Sequence, residues 1–446
     1  MKNLLKKLLD VKDVRIDQTE ITTDASGVMR LVVDVELRKG MRCRCPFCSN
    51  NKRLAKYDAR PRLSSWRDLD FGGVVVILRM QRYRVECPVH GIVTENVPWA
   101  YPNSSFTKRF DMTVTWMAKN LNRSAIADYM RIDWQTVGRC VSRARHELEP
   151  DFKHRLDNLH SIGIDETSYK RGHKYITVIV NHETNTVVWM SDGAGKSVLT
   201  RFFEEMTPEQ RRCIRIVTGD GAKWIDQCMD YIPQAVRCID AFHVVQWAMD
   251  ALDEVRREAW QEALAEYKVL DRKRKKHRGR VKADDTAALE AQAAKRQASE
   301  IKGATYALGK APENLTPNQK LKCQMIESNY PRLYRAYCLK EELRLILKES
   351  DPEQAQLLIN KWFWRATHSR IPAFQKLAHK IRNHQEHILD TIRNHVSNAR
   401  IEATNNKIKV VIRRSYGFRN LSNMFDLVYL CCSNLQIPLA NRPKVG

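Results

Sequence analysis

No apolar run in this chain approaches the roughly 18 residues that a membrane-crossing helix needs. The opening MKNLLKKLLDVK also lacks the apolar core of a secretory signal. Its Leu4, Leu5, Leu8 and Leu9 are interleaved with lysines, which makes a short amphipathic helix. Acidic charge is scarce: Asp plus Glu number 52 against 76 Lys plus Arg, leaving a net charge of +24. The excess is spread along the chain rather than confined to a tail, so the expected partners are polyanions, nucleic acid first. Cysteine pairs are rare too. Most of the 12 cysteines are scattered, as reduced thiols in a cytosol would be. What is present is apolar enough, at 43% hydrophobic residues, to exclude wholesale disorder. A length of 446 residues allows roughly two to four domains.

One group of cysteines is not scattered. Cys45-Pro-Phe-Cys48 and Cys87-Pro-Val-His90 are two short-spaced ligand pairs, enough for one tetrahedral Zn²⁺, with Cys43 an alternative fourth ligand. The strand-like VVVILRMQRYRV (74–85) returns the chain from one pair to the other. From Thr113 a helix-turn-helix pattern follows. Ser124 is the expected cap of one helix and Asp133 of the next, with small Ala127 at the crossing, Ile132 in the turn, and Val137 and Val141 facing the core. The second helix is expected to expose Gln135, Arg139, Arg143 and Arg145 to phosphates and base edges.

Past Asp157 the periodicity turns from helix to strand. SIGID is an apolar strand ending in Asp165 and Glu166. KYITVIVNHETN and NTVVWMSDG form a hairpin turning near 183–185, and SVLTRFFEEMTPEQ is a helix. CIRIVTGD is a strand ending in Asp220, GAKWIDQCMDYIP a helix, and AVRCIDAFH a strand running into Asp240 and His243. This order is the RNase H-like layout, a mixed sheet flanked by helices. In it the first and fourth strands are neighbours, so Asp165 and Asp220 meet. Two close carboxylates repel, and a divalent cation relieves them. Hard oxygen ligands select Mg²⁺, with Mn²⁺ as a substitute, and a pair of such ions suits phosphodiester displacement. A third acid stands in SNARIEATNNKIKVVIRRSYGF. As a helix, this places Asn398, Glu402, Asn405, Asn406 and Lys409 on one face beside Ile401, Ile408 and Ile412, with Arg413 and Arg414 continuing toward phosphates. Asp240 also ends a strand and is the alternative to Asp220.

The gap before Glu402 is far longer than a compact sheet needs, so a largely helical domain is inserted between about Val244 and His395. It holds the basic run DRKRKKHRGRVK, in which Lys273, Arg274, Lys275 and Lys276 can track a DNA backbone, an Ala-rich helix, and the aromatic trio Trp362-Phe363-Trp364, expected in a helical core. The expected fold class is therefore α/β multidomain: a zinc module (1–100), a helix-turn-helix (101–150), an RNase H-like sheet (155–243), a helical insertion (244–395) and the returning segment with the third acid (396–446).

Together IGIDE, TGDGAKW, DAFHV and IEATNNKIKVVIRRSYGF, with the zinc pairs and helix-turn-helix before them, resemble bacterial insertion-sequence transposases of the ISL-three family, DDE enzymes related to the Mutator type. The resemblance covers most of the chain. It implies an acidic triad of Asp165, Asp220 and Glu402 holding two Mg²⁺, and likens Asp240-Ala-Phe-His243 to the Asp/Cys-x-x-His signature, with His243 orienting a neighbour or touching phosphate. It further implies binding to double-stranded DNA at terminal inverted repeats, strand transfer into target DNA, at least a homodimer, no membrane partner, and work in the bacterial cytoplasm on the nucleoid. The rival expectations are a non-catalytic DNA-binding regulator and a nuclease without strand transfer. The third acid argues against the first, and cleavage and joining share one site in the second.

Overall fold

The computed structural model describes residues 2–48, 50, 52–276, 286–396 and 399–442, and side chains except those of 275–276, 287 and 399–400. Its contacts divide into two compact units, 1–155 with 406–446, and 156–405. Among the described residues no helix is long and apolar enough to cross a membrane.

The first unit opens with helix α1 (Lys2–Leu8) and strands β1 (Val14–Thr23), β2 (Met29–Leu37), β3 (Ala55–Ala59), β4 (Ser64–Arg67), β5 (Val75–Met80), β6 (Tyr83–Cys87) and β7 (Gly91–Thr94). They form two sheets, β1-β2-β5-β4 and β3-β6-β7. The run expected as one strand over 74–85 is thus broken at Gln81 and Arg82, and its halves serve different sheets. Alternating apolar residues on β1, β2 and β5 cover Trp66, which meets Trp99 edge to face at 5.4 Å.

Helices α2 (Lys108–Ala118), α3 (Arg123–Met130) and α4 (Trp134–Leu148) follow. The cap of α3 is Asn122, not Ser124. Its carboxamide takes the Ala125 N–H at 2.9 Å, so the helix starts before Ser124 is reached. Asp133 caps α4 as expected, accepting from Gln135 N at 2.7 Å. Ile126, Val137 and Val141 are buried, and Arg131 makes the tight turn in the left-handed region at φ 52°.

The second unit holds β8 (Ser161–Lys170), β9 (Lys174–Asn181), β10 (Thr186–Asp192), α5 (Lys196–Glu205), α6 (Pro208–Cys213), β11 (Ile216–Gly219), α7 (Lys223–Asp226) and β12 (Val236–Ile239). The sheet order is β10-β9-β8-β11-β12. β8–β9–β10 is antiparallel, while β11 is parallel to both β8 and β12. This is the expected RNase H-like order. The helix expected over 197–210 is two helices, because Pro208 cannot continue one and Thr207 caps the next in a capping box with Gln210. The helix expected over 221–233 shrinks to the single turn of α7 and a short 3₁₀ turn.

Straight after Asp240 begins α8 (Ala241–Lys276), then α9 (Thr286–Gly303), α10 (Thr305–Gly309), α11 (Pro317–Asn329), α12 (Pro331–Ile346), α13 (Pro352–Thr367), α14 (Pro372–Asn383) and α15 (Gln385–Arg393). Proline at the first turn starts four of these, where its missing N–H costs nothing. They share one apolar core that reaches Ile239 of β12. Trp362 is wholly buried there and donates to Leu339 O at 2.8 Å. Trp364 does not join it: it is 62% exposed and stacks on His368. α16 (Ala399–Arg414) and α17 (Leu421–Cys431) end the chain.

Candidate active site

The pairing of β8 explains why a buried strand carries two acids. β8 does not end at Asp165: it runs on to Lys170 as the partner of β9, with Asp165 opposite Val178. What ends there is the parallel ladder with β11, whose last pair is Thr218–Gly163. The ladder between β11 and β12 ends at Gly219–Ile239, and Asp240 N donates to Gly219 O at 3.0 Å. Asp220 and Asp240 are the next residues along. Three carboxylates therefore stand where three neighbouring strands diverge, the usual site-bearing edge of an α/β sheet.

Glycines set the spacing. A Cβ on Gly219 would press on Ile225 at 2.8 Å, and one on Gly221 would meet the Trp247 ring at 2.6 Å. A Cβ on Gly163 would overlap Ile401, so this bare position is where α16 docks on the sheet. Docked there, Asn405 is buried and donates from Nδ2 to Asp165 Oδ2, while Glu166 N donates to Asp165 Oδ1 at 2.7 Å.

Burial raises the Asp165 carboxyl above the usual range, and repulsion from Asp220 and Asp240 adds to it, opposed by the Glu166 N–H and by His243. Glu166 is raised by burial too, then by Asp220 and Asp165. Asp220 Oδ1 accepts from Ala222 N at 3.0 Å, and Asp240 Oδ1 from Phe242 N at 2.9 Å. His243 lies in the first turn of α8, its Nε2 3.8 Å from Asp240 Oδ2. Glu402 is exposed, one turn before Asn405, and lines a cleft of about 450 Å³ with Asp240, Phe242 and His395.

The expected convergence is thus graded. Asp165, Asp220 and Asp240 share a sheet edge, while the Glu402 side chain faces the cleft. No three oxygens of this set lie within 4.8 Å of one another among the described residues. Asn406 and Lys409 are exposed, and Asn398 lies outside the described residues. Sequence reasoning missed Arg237. It is buried on β12 and donates to the main-chain oxygen of Asp220 and, through Nε, to Asp226 Oδ1 at 3.2 Å. The polar interruption in VRCID was its only signal.

The zinc pairs meet closely. Cys48 Sγ lies 3.6 Å from Cys87 Sγ and 3.4 Å from His90 Nδ1, and Cys45 Sγ is 3.6 Å from the same nitrogen. Three thiols and an imidazole gathered this way fit one tetrahedral Zn²⁺. Cys43 is not the fourth ligand. It sits outside this cluster at φ 59°, its N–H bonded to buried Glu95.

On α4, Gln135 and Arg139 are exposed as expected. Arg143 and Arg145 are not. Arg143 grips buried Asp111 with two hydrogen bonds of 2.7 and 2.9 Å, and Arg145 pairs with Asp426 at 2.5 Å. Both are drawn inward because an unpaired buried carboxylate costs more than the freed cation gains. Arg413 is exposed, whereas Arg414 is half-buried and donates to Ala118 O at 3.4 Å. Lys273 is exposed and Arg274 pairs with Asp271 at 2.8 Å; the side chains of Lys275 and Lys276 lie outside the described residues.

An RNase H-like sheet with one carboxylate within its first strand and others just past the ends of its fourth and fifth, preceded by a zinc knuckle and a helix-turn-helix, defines a class of DNA-processing enzymes. Comparison with known proteins is specific. A family model described as "Transposase" matches residues 162–428, "Helix-turn-helix domain of transposase family ISL3" matches 95–144, and "zinc-finger of transposase IS204/IS1001/IS1096/IS1165" matches 42–90. The chain belongs to the ISL3 family of insertion-sequence transposases. It is 38% identical to the "Transposase for insertion sequence element IS1557" of Mycobacterium tuberculosis over 98% of this chain and 97% of the relative. It is 26% identical to the "Transposase for insertion sequence element IS1001" of Bordetella parapertussis, over 80% of this chain and 82% of that one.

Proposed function

We propose that this transposase cuts a phosphodiester at the ends of its element and joins the freed 3′-hydroxyl to target DNA, with Asp165, Asp220 and Glu402 as the catalytic acids. The observation that carries the reading is Asp165. It is a desolvated carboxylate beside Asp220 and Asp240, held by an asparagine of the helix that bears Glu402. Such crowding is disfavoured unless cations share it. Asn405 Oδ1 is buried with no hydrogen-bond partner, a further oxygen donor at the same place. The donor set is all oxygen and fits a pair of Mg²⁺ ions, or Mn²⁺ in their place, better than a softer metal. Bound there, the ions would activate the attacking oxygen and stabilise the leaving one.

The chain's own groups do the rest. Asn405 and the Glu166 N–H fix the orientation of Asp165, the Ala222 N–H fixes Asp220, and Arg237 holds the Asp220 backbone. Asp240 and His243 stand beside this set as supporting groups. Asn406, Lys409 and Arg413 would steer the DNA backbone along α16. Gln135 and Arg139 on α4 would read the terminal inverted repeats, with the zinc ribbon supporting them, and Lys273 would touch DNA from the insertion. The five-segment division at 100, 150, 243 and 395 is retained as the functional one. Joining two ends requires at least a homodimer, working in the bacterial cytoplasm on nucleoid DNA.

Asp165→Asn should abolish Mg²⁺-dependent cleavage of end-containing DNA while leaving its binding unchanged in a mobility-shift assay. Cleavage retained within a factor of about ten would remove Asp165 from the site, since catalytic carboxylates are worth far more than the roughly 1.4 kcal/mol of a tenfold change.

A further inference from the structure

A second cluster of metal-ligating side chains lies in the same unit, beside the turn that follows Asp220. Asp226 ends α7, His384 joins α14 to α15, and His387 lies in the first turn of α15. One ligand atom from each lies within 4.8 Å of the others, and all three residues are half-buried.

We propose that Asp226, His384 and His387 bind a divalent transition-metal ion, of which Zn²⁺ is the representative. Among the described residues no hydrogen bond or ion pair joins either histidine to Asp226, and the two imidazole rings stand 6.0 Å apart, centre to centre. The Nδ1 atoms of both imidazoles are shielded from solvent and have no hydrogen-bond partner. Polar atoms left in that state cost stability, and a shared ion is the economical way to satisfy them. Ligand atoms around Zn²⁺, with bonds of about 2.0–2.2 Å, stand roughly 3.3–3.6 Å apart, so a small contraction completes the set. Burial favours the neutral form of both imidazoles, opposed by Asp226, and it is the neutral form that has a lone pair to give. Two imidazoles and one carboxylate select Zn²⁺ or a similar transition ion over Mg²⁺, and three protein ligands leave a position for water.

Arg237 holds Asp226 Oδ1 at 3.2 Å, which leaves the second oxygen for an ion. The same guanidinium donates to the Asp220 main chain. The ion would thus clip the helix that returns from the insertion onto the turn after Asp220. His384 and His387 are positioning residues in that account, and this role rests on Asp220 as a catalytic acid. The ion itself does not.

The test counts zinc without DNA or magnesium. Full-length protein loaded with excess ZnSO₄ and desalted should hold two zinc ions per chain by mass spectrometry, one in the ribbon and one here. His387→Asn should hold one. Wild type holding only one, or His387→Asn holding two, overturns the proposal. Where that variant is insoluble, Co²⁺ titration of the wild type decides. A second equivalent showing weak d–d bands without new thiolate charge transfer supports the site, and saturation after one thiolate-dominated equivalent overturns it.

Discussion

Asp165 sits in a contact network that penalises its own charge. Its carboxyl is raised by burial and by Asp220 and Asp240, so it ionises more readily in the unfolded chain than in the folded one. The cost is present at neutral pH and disappears as pH falls through the raised value, where the folded site takes up a proton. Asp165→Asn removes the charge, and a flip of the Asn405 amide would let its orphaned Oδ1 accept from the new carboxamide. In EDTA at pH 7 the variant should melt higher than wild type by about 2–4 °C, the shift that roughly 1 kcal/mol makes in a unit of this size. The gap should narrow on acidification, and should close or reverse in Mg²⁺, which stabilises only a chain able to bind it. A variant that melts lower in EDTA would show that its hydrogen bonds outweigh its repulsion. At this scale the sequence singled out Asp165 and Asp220, because acids that directly follow apolar runs are conspicuous. It did not expose Arg237 or the orphaned Asn405 oxygen, whose roles depend on which main-chain atoms come within reach.

Helix α4 shows how far an element can be read from its pattern. Asp133 as cap and Val137 and Val141 as the buried face follow from spacing alone. The fate of its arginines does not, because Asp111 on α2 claims Arg143 and Asp426 on α17 claims Arg145. The two kinds of arginine should separate cleanly. Arg139→Ala should change stability by no more than about 0.5 kcal/mol and reduce the slope of log affinity against log salt by about 1, as the loss of one phosphate contact does. Arg143→Ala strands a buried carboxylate and should cost about 3–5 kcal/mol in denaturant unfolding. An equal loss of stability in both would place Arg139 in the fold rather than on DNA. The same limit explains the elements drawn too long from sequence. A helical pattern over 197–210 hid a stop at Thr207-Pro208, and the strand over 74–85 hid a change of sheet.

The order of modules was legible along the whole chain, since each announces itself by a different periodicity or ligand spacing. Strand order in the catalytic sheet followed from the alternation of elements, because few chain paths connect them without crossing. The insertion was legible only as excess length. That its first helix starts within DAFH, so that His243 belongs to a 36-residue helix, appears only in three dimensions. The two units also fold around separate apolar cores, one beneath Trp66 and one around Trp362. A defect in the zinc ribbon should therefore stay in its own unit. Cys48→Ser removes one of four ligands from a module too small to replace them by core packing, and should weaken binding to the terminal repeats by about tenfold or more, roughly 1.4 kcal/mol. In calorimetry it should lower one transition and leave a second, from the sheet and helical insertion, where it was. Unchanged repeat binding would take the ribbon out of DNA recognition. A single transition that moves as a whole would mean that the ribbon stabilises the catalytic sheet as well, and that the loss of zinc should then abolish cleavage even of DNA already bound.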